Sequence, residues 1–420
     1  MTLQLSTITF DHDPSSPSTS ALNIRRNKDF EVPIPEYDAS IPRTPAESCA
    51  AYAKLETTGK NVTIRVHLKI AAAANVTYEV KATGGGVLGG LDPVQVVFSG
   101  GVTDKAVDIP LAHRKFKRIS RMDITWHWRY RAKGSSKWHH LVTTSHRIYV
   151  VLAVPPAPWT QVFADKRNPW TDLLDQCCVI ASGSEDALSA AEKTTKDVHL
   201  NHALRYDIDS GADRYGFVGT GDSFDLTNWI DYVLLGNAPA NPVFCGGTPE
   251  QYRDFLIVNC YDCAASNALM SKVVGAGLDY YFHQPFGYLN YVLPIGRGKC
   301  NNPFYGCLGN NPAVGPDDPR TSFGNHAYPK LNGNTNFDAC MRVWLPSWLS
   351  LLLFLLWLII LIITLGLVNL NSLLLASGGW LIDISQTDYA TKTIDVSQPF
   401  EAAAAAGGMP VLQTLQFRIV

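Results

Sequence analysis

The chain has 420 residues, which is long enough for two or three domains and a large core. Its 35 basic and 37 acidic side chains leave a formal net charge of −2. This balance lacks the excess of positive charge typical of nucleic-acid-binding proteins, so we expect no nucleic-acid partner.

The first 48 residues are rich in serine, proline and threonine, as in the run Asp13-Pro-Ser-Ser-Pro-Ser-Thr-Ser20. This composition buries little apolar surface, so we expect residues 1–48 to form an extended lead-in. The N-terminus begins with neither a basic segment nor a continuous apolar run, so we expect no cleavable signal peptide.

Residues 49–157 alternate between apolar and polar side chains in several short segments separated by turn signals. The clearest begins at Ile124 and places one set of apolar side chains on a single face: Ile124, Trp126, Trp128 and Tyr130. Gly134 then turns the chain into a second alternating segment, 138–152. This pattern predicts an immunoglobulin-like β-sandwich. We interpret its histidines as half-exposed polar residues rather than as metal ligands.

From residue 158 to 343 the apolar period lengthens and helices are expected to mix with strands. The helical patterns cover 169–181, 185–198, 224–235 and the stretch that begins at Cys260. That last stretch has apolar residues at helical spacing and ends at Gly275 and Gly277. A cysteine at a helix N-terminus feels the positive end of the helix dipole, which favours a thiolate.

Cys260, His326 and Asp338 follow one another with spacings of 66 and 12 residues. Cysteine-based acyl transfer needs a base beside the thiol and a third group that orients the imidazole. The sequence Asn332-Gly-Asn-Thr predicts a hairpin that would bring His326 beside Asp338. The three residues therefore form a candidate catalytic triad.

Three motifs resemble those of the transglutaminase-like (papain-like) cysteine enzyme superfamily. They are Cys260-Tyr-Asp-Cys-Ala264 opening a helix, the strand start His326-Ala-Tyr328, and Phe337-Asp-Ala339. The resemblance covers roughly residues 170–343 and implies an α+β, papain-like catalytic domain. It also implies that Cys260 is the nucleophile, His326 the general base and acid, and Asp338 the orienting carboxylate. Asp262 would be a structural residue of the helix start.

The resemblance implies acyl transfer on a peptide or protein amide through a thioester, as in a peptidase, an amidase or a transamidase, without a cofactor or a metal. The alternative function is a non-catalytic binding or scaffolding protein with a degenerate domain of this fold. Cys260-x-x-Cys263 also fits a redox or zinc site, although no second such pair occurs. Cys300 and Cys307 lie close enough in sequence to pair, and both the free and the bonded state remain open.

The segment 344–372 contains the uncharged apolar run Trp348–Leu370. Its 23 residues would extend ~34 Å as a helix, enough to cross a bilayer. We therefore expect membrane association through a single span, with the bulk of the chain cytoplasmic. The alternative is a soluble chain with this run in its core. Residues 373–420 are expected to form a short β-rich and flexible tail, with strands over 391–396 and 412–419.

Overall fold

The computed structural model describes the larger part of the chain. The described residues are 2–13, 15–16, 19–54, 62–112, 116–159, 168–217, 223–237, 255–284, 286–302, 304, 320–343, 356, 384–395, 410–411 and 418–419. They form a mixed α+β structure with more strand than helix. The chain divides into two compact units. Unit 1 comprises Met1–Ala190 and Met270–Ala276, and unit 2 comprises Ala191–Leu269 and Gly277–Val420.

Unit 1 contains two sheets that share one apolar core, the arrangement of a β-sandwich. The first sheet consists of β1 (Leu3–Thr9), β2 (Tyr37–Asp38), β4 (Thr63–Ile70) and β7 (Asp104–Pro110), in the order β2-β1-β4-β7. The second consists of β3 (Cys49–Ala53), β5 (Val76–Gly84), β6 (Leu91–Phe98), β8 (Ser120–Ala132) and β9 (His139–Val151), in the order β3-β9-β8-β5-β6. The expectation of a mixed α+β chain with several sheets is thus confirmed, while an immunoglobulin-like sandwich over residues 49–157 stays a prediction.

The alternation along β8 is what creates the sandwich core. Trp126 and Trp128 are fully buried, whereas His127 between them is exposed. Each indole also finds an acceptor inside: Trp126 Nε1 donates to the carbonyl of Gly89 at 2.9 Å, and Trp128 Nε1 donates to Thr144 Oγ1 at 3.0 Å. Burial therefore leaves neither indole N–H unsatisfied, which is the condition for tryptophan to serve in a core.

The N-terminal lead-in differs from the expectation. Residues Leu3–Thr9 form β1, which pairs antiparallel with β4 in the first sheet. Leu3, Leu5 and Ile8 are buried in the shared core. The serine- and proline-rich composition of residues 1–48 as a whole did not indicate this strand. The alternating apolar residues of Leu3–Thr9 are nevertheless enough to form it.

The first four helices agree with the periodic patterns, whereas the fifth lies partly where a strand was expected. The five are α1 (Thr171–Ile180), α2 (Ala187–Leu200), α3 (Leu226–Asn228), α4 (Cys260–Val273) and α5 (Gln386–Thr393). A single-turn helix over Gly86–Leu88 and a π-helical segment over Trp229–Leu234 complete the set among the described residues. In unit 1, α1 buries Leu173, Leu174 and Cys178.

The strands of unit 2 are short. They are β10 (Arg205–Tyr206), β11 (Gly216–Phe217), β12 (Ser223–Phe224), β13 (Ile257–Val258), β14 (Leu278–His283), β15 (Val292–Pro294), β16 (His326–Leu331), β17 (Thr335–Asn336), β18 (Met341–Val343), β19 (Ile384–Ser385), β20 (Pro410–Val411) and β21 (Arg418–Ile419). The main sheet has the order β19-β17-β16-β14-β20. The parallel pair β10-β13 leads directly into α4.

The predicted hairpin is confirmed between β16 and β17, where Lys330 pairs with Asn336. The turn residues Asn332 and Gly333 have φ of 53° and 73°. These positive values are those of the turn that matches the twist of a hairpin, and asparagine and glycine adopt them with least strain.

The structure of the C-terminal tail differs from the sequence prediction. Thr391, expected in a strand, lies in helix α5 instead. The helix has Asp388 in its first turn and Lys392 in its last, which suits the helix dipole. The apolar run Trp348–Leu370 lies outside the described residues except for Leu356. Within the described part of the chain, no helix combines the length and the apolar character needed to cross a membrane.

The sandwich predicts opposite effects for two neighbouring residues of β8. Trp126→Ala removes a fully buried indole and should lower the free energy of unfolding by about 3–5 kcal/mol. His127→Ala changes an exposed side chain and should leave stability nearly unchanged. Urea titration followed by tryptophan fluorescence and circular dichroism measures both. Equal losses in the two variants would contradict the assignment of faces.

Candidate active site

The N-terminus of helix α4 is held by a reciprocal capping arrangement. The side-chain oxygen of Asn259 accepts from the amides of Tyr261 (2.9 Å) and Asp262 (3.1 Å). In return, the Asp262 carboxylate accepts from the amide of Asn259 at 3.2 Å. Asn259 is thus the N-cap residue and Cys260 the first residue of the helix. The cap sets the direction from which Cys260 leaves the backbone.

The same Asp262 carboxylate binds a second segment of unit 2. It accepts from the amides of Arg214 (2.9 Å), Tyr215 (2.7 Å) and Gly216 (2.8 Å). Burial raises the pKa of Asp262 to about 6, although these backbone hydrogen bonds favour the charged form. The structural role expected for Asp262 is therefore wider than a helix start, since it joins α4 to residues 214–216.

His326 and Asp338 meet as the hairpin predicted. His326 Nε2 lies 2.8 Å from Asp338 Oδ2, and both side chains are buried. The other carboxylate oxygen accepts from the amides of Cys340 (2.7 Å) and Met341 (3.1 Å). A carboxylate held in this way keeps the Nε2–H tautomer of the ring and turns Nδ1 towards the remaining space.

The imidazole of His326 is packed among aromatic rings. Its centroid lies 4.8 Å from that of Phe286 and 5.7 Å from that of Phe323, which is nearly parallel to it. Burial alone would lower the pKa of His326. The charge and hydrogen bond of Asp338, together with the Cys260 thiol, outweigh this effect and raise the pKa of His326 to about 9. The ring therefore carries a proton at neutral pH.

Cys260 lies beside the same histidine, and its thiol interacts with the imidazole. Nδ1 of His326 is buried and forms no regular hydrogen bond with a described residue. Cys260 is 5% exposed. The structure therefore brings together all three residues that the sequence singled out.

Further side chains support this group, and sequence reasoning missed them. The hydroxyl of Tyr261 donates to Asn325 Oδ1, which links the residue after Cys260 to the residue before His326. Asn267 of α4 donates to the carbonyl of Phe337 at 3.1 Å. His199 of α2 donates through Nδ1 to the carbonyl of Ala339 at 2.8 Å. The last two bonds hold the backbone on either side of Asp338.

Tyr389 of α5 is the other residue that the sequence did not reveal. Its hydroxyl donates to Asp338 Oδ2 and lies 3.3 Å from His326 Nε2. The side chain is 2% exposed. It comes from the segment interpreted as a flexible tail, and nothing in the local sequence marks it, because the contact joins residues 51 positions apart.

The remaining cysteines near the site serve packing. Cys263 is fully buried, and its free thiol forms a hydrogen bond with the free thiol of Cys340. Burial raises the pKa of Cys263 and, still more, the pKa of Cys340. Cys300 is a free thiol that donates to the carbonyl of Asn302 at 3.0 Å, while Cys307 lies outside the described residues. Within the described ranges, no group of three or more histidine, cysteine or acidic side chains is arranged to hold a metal.

The network around Asp262 predicts a large stability effect. Asp262→Ala would leave several buried amide groups without an acceptor, so the free energy of unfolding should fall by about 3 kcal/mol or more. Asp186→Ala removes an exposed cap at the start of α2, where the carboxylate accepts from Ser189, and should cost clearly less. Comparable melting temperatures for the two variants would show that the Asp262 network is dispensable.

The raised pKa of His326 predicts a pH dependence of stability. The folded-state pKa of about 9 exceeds the ordinary value of 6.5, so the folded protein binds this proton more tightly than the unfolded chain. The resulting stability is fully present below about pH 6.5 and is lost as the pH rises through about 9.

The difference in unfolding free energy between wild type and His326→Gln should therefore shrink from neutral to alkaline pH. Urea titrations of both proteins across this range measure the difference and cancel the titration of all other groups. A constant difference would mean that His326 is not protonated preferentially in the folded state.

No protein-family model matches this chain, and no curated protein matches its sequence. What the site can do is therefore inferred from its own side chains and their geometry.

Proposed function

We propose that unit 2 is a cysteine-dependent acyl-transfer enzyme that acts on peptide or protein amides. The observation that carries this proposal is the arrangement of Cys260, His326 and Asp338. A thiol at a helix start contacts an imidazole, and that imidazole is held at 2.8 Å by a buried carboxylate. These are the nucleophile, the base and the orienting group that the chemistry needs.

The reaction begins from the state in which His326 is protonated and Cys260 is a thiolate, and the raised pKa of His326 favours that form of the ring. The thiolate attacks the carbonyl carbon of the amide and forms a tetrahedral intermediate. His326 then gives the proton to the departing nitrogen as the C–N bond breaks, which leaves a thioester on Cys260. Water or a second amine attacks the thioester and releases the thiol. Hydrolysis and transamidation share the first half.

The intermediate carries a negative oxygen that needs hydrogen-bond donors. The amide of Cys260 is the first of α4, and it donates to no acceptor among the described residues. It also lies at the positive end of the helix dipole. The oxyanion is therefore expected to sit against this N–H group.

The fold assignment that accompanies the proposal is the transglutaminase-like, papain-like superfamily. Two features support it: the order of cysteine helix, histidine strand and aspartate, and the antiparallel main sheet that carries His326 at the start of β16. The competing hypothesis is a binding or scaffolding protein that keeps this fold without turnover. The reactivity of Cys260 separates the two.

The proposal predicts selective alkylation. Iodoacetamide in limiting amount at mildly acidic pH should label Cys260 before Cys263, because Cys263 is fully buried and burial raises its pKa. His326→Ala should slow labelling of Cys260 by about tenfold or more, and Asp338→Asn should slow it less. Peptide mass spectrometry locates the label.

The same variants test turnover. Cys260→Ala should abolish hydrolysis or transamidation of amide substrates in a peptide library, with folding intact. Cys263→Ala is the matched control, since it removes the neighbouring thiol and should reduce stability while leaving turnover. An inert Cys260 in well-folded protein would favour the scaffolding hypothesis. Loss of labelling of both thiols on addition of Zn²⁺ would favour a metal or redox site.

A further inference from the structure

Tyr389 occupies a place in the site for which the acyl-transfer chemistry assigned no role. Its hydroxyl donates to Asp338 Oδ2, the same oxygen that binds His326 Nε2. Its ring packs on that of Tyr328, with centroids 4.8 Å apart. At 2% exposed, the phenol is shielded from water, so its hydroxyl proton is directed to the carboxylate.

Helix α5 is anchored so that this hydroxyl keeps its place. The side chain of Thr393 donates to the carbonyl of Tyr389 at 2.7 Å. Two backbone hydrogen bonds join the end of α5 to residues 288–290. The amide of Asn290 donates to the carbonyl of Thr393 at 2.9 Å, and the amide of Asp395 donates to the carbonyl of Tyr288 at 2.9 Å. Arg320 adds an ion pair with Asp395 at 2.6 Å. The end of α5 is thus bound to residues 288–290.

The Tyr389 hydroxyl completes the coordination of Asp338. One carboxylate oxygen accepts two backbone amides, and the other accepts the His326 ring and the phenol. Each donor that a carboxylate accepts spreads its negative charge and weakens its attraction for any one proton. A carboxylate shared with a phenol therefore holds the imidazolium less tightly than one that serves the imidazole alone.

We propose that Tyr389 is a positioning residue of this site, whose hydroxyl shares Asp338 with His326 and thereby limits how firmly the imidazole retains its proton. The inference rests on the proposed acyl-transfer function, in which His326 must give that proton to the departing amine. An imidazole held too firmly would protonate the leaving group slowly. Tyr389 thus tunes the general acid through its partner without touching the substrate.

Removal of the Tyr389 hydroxyl should shift the titration midpoint of His326 in one direction, upwards. In Tyr389→Phe the ring and its packing remain, while Oδ2 of Asp338 is left to His326 alone. The imidazolium is then stabilised more strongly, so the titration midpoint of His326 should rise by about half a pH unit or more. The alkaline limb of the pH–rate profile should shift in the same direction, and kcat should fall.

The experiment is a pH titration of the full-length protein labelled with ¹⁵N-histidine, in which ring nitrogen shifts report each imidazole. His326→Gln identifies the resonance. Tyr328→Phe is the matched control, because its hydroxyl bonds to His283 Nδ1 at 3.2 Å rather than to Asp338. The expected result is an upward shift of the His326 midpoint in Tyr389→Phe and none in Tyr328→Phe.

An unchanged midpoint in Tyr389→Phe, or an equal shift in both variants, would overturn the proposal. Wild-type protein supplies a second measurement that does not depend on a variant folding. The phenol proton shared with Asp338 should appear as a downfield proton resonance that changes as His326 titrates, and its absence would also count against the role.

Neither readout requires turnover, so the outcome is distinguishable from failure of the acyl-transfer function. An inactive Cys260 with a shifted His326 midpoint would reject the enzyme and retain the contact. An active enzyme in which the titration midpoint of His326 does not respond to Tyr389→Phe would retain the acyl-transfer function and reject the role of Tyr389.

Discussion

The Asp262 carboxylate is the constraint on which the candidate site depends. It is fully buried and accepts amides from the helix cap at Asn259 and from residues 214–216. A buried carboxylate is costly unless donors surround it, and here the backbone supplies them from two separate segments. Neither segment can move without leaving amides unsatisfied. The backbone at Cys260 is therefore held in a fixed position, so the distance between Cys260 and His326 can be set accurately.

The His326 side of the candidate site is held in place in a different way. His326 and Asp338 are joined by a local hairpin, and the backbone around Asp338 is then held from outside by Asn267 and His199. Tyr261 and Asn325 connect the two sides, since one follows Cys260 and the other precedes His326. Cys260 and His326 are thus connected through the side chains of their neighbours in the chain.

Local patterns explain what could be predicted from the sequence. The hairpin at Asn332, the helix at Cys260 and the alternation along β8 are each encoded within about a dozen residues, and each is present. The strand at Leu3 was not predicted because its seven residues contribute little to the overall composition of the 48-residue segment that contains them. Tyr389 was missed for another reason. Its role comes from a contact across 51 residues, and single-sequence periodicity carries no information about such pairs.

Cys260 is the first residue of α4, and His326 is the first residue of β16. Each of these two side chains thus belongs to the first residue of a regular element and not to its interior. The chain farther upstream, before β13 in the one case and before Asn325 in the other, can change in length or composition while the cap at Asn259 and the Tyr261–Asn325 hydrogen bond keep the two side chains in place. In such an arrangement, the residues that hold the site and the residues that select its ligand lie in different parts of the chain. Insertions in that upstream chain would alter what can reach Cys260 and leave the arrangement of Cys260, His326 and Asp338 intact, so related chains could differ widely in length around the same three residues.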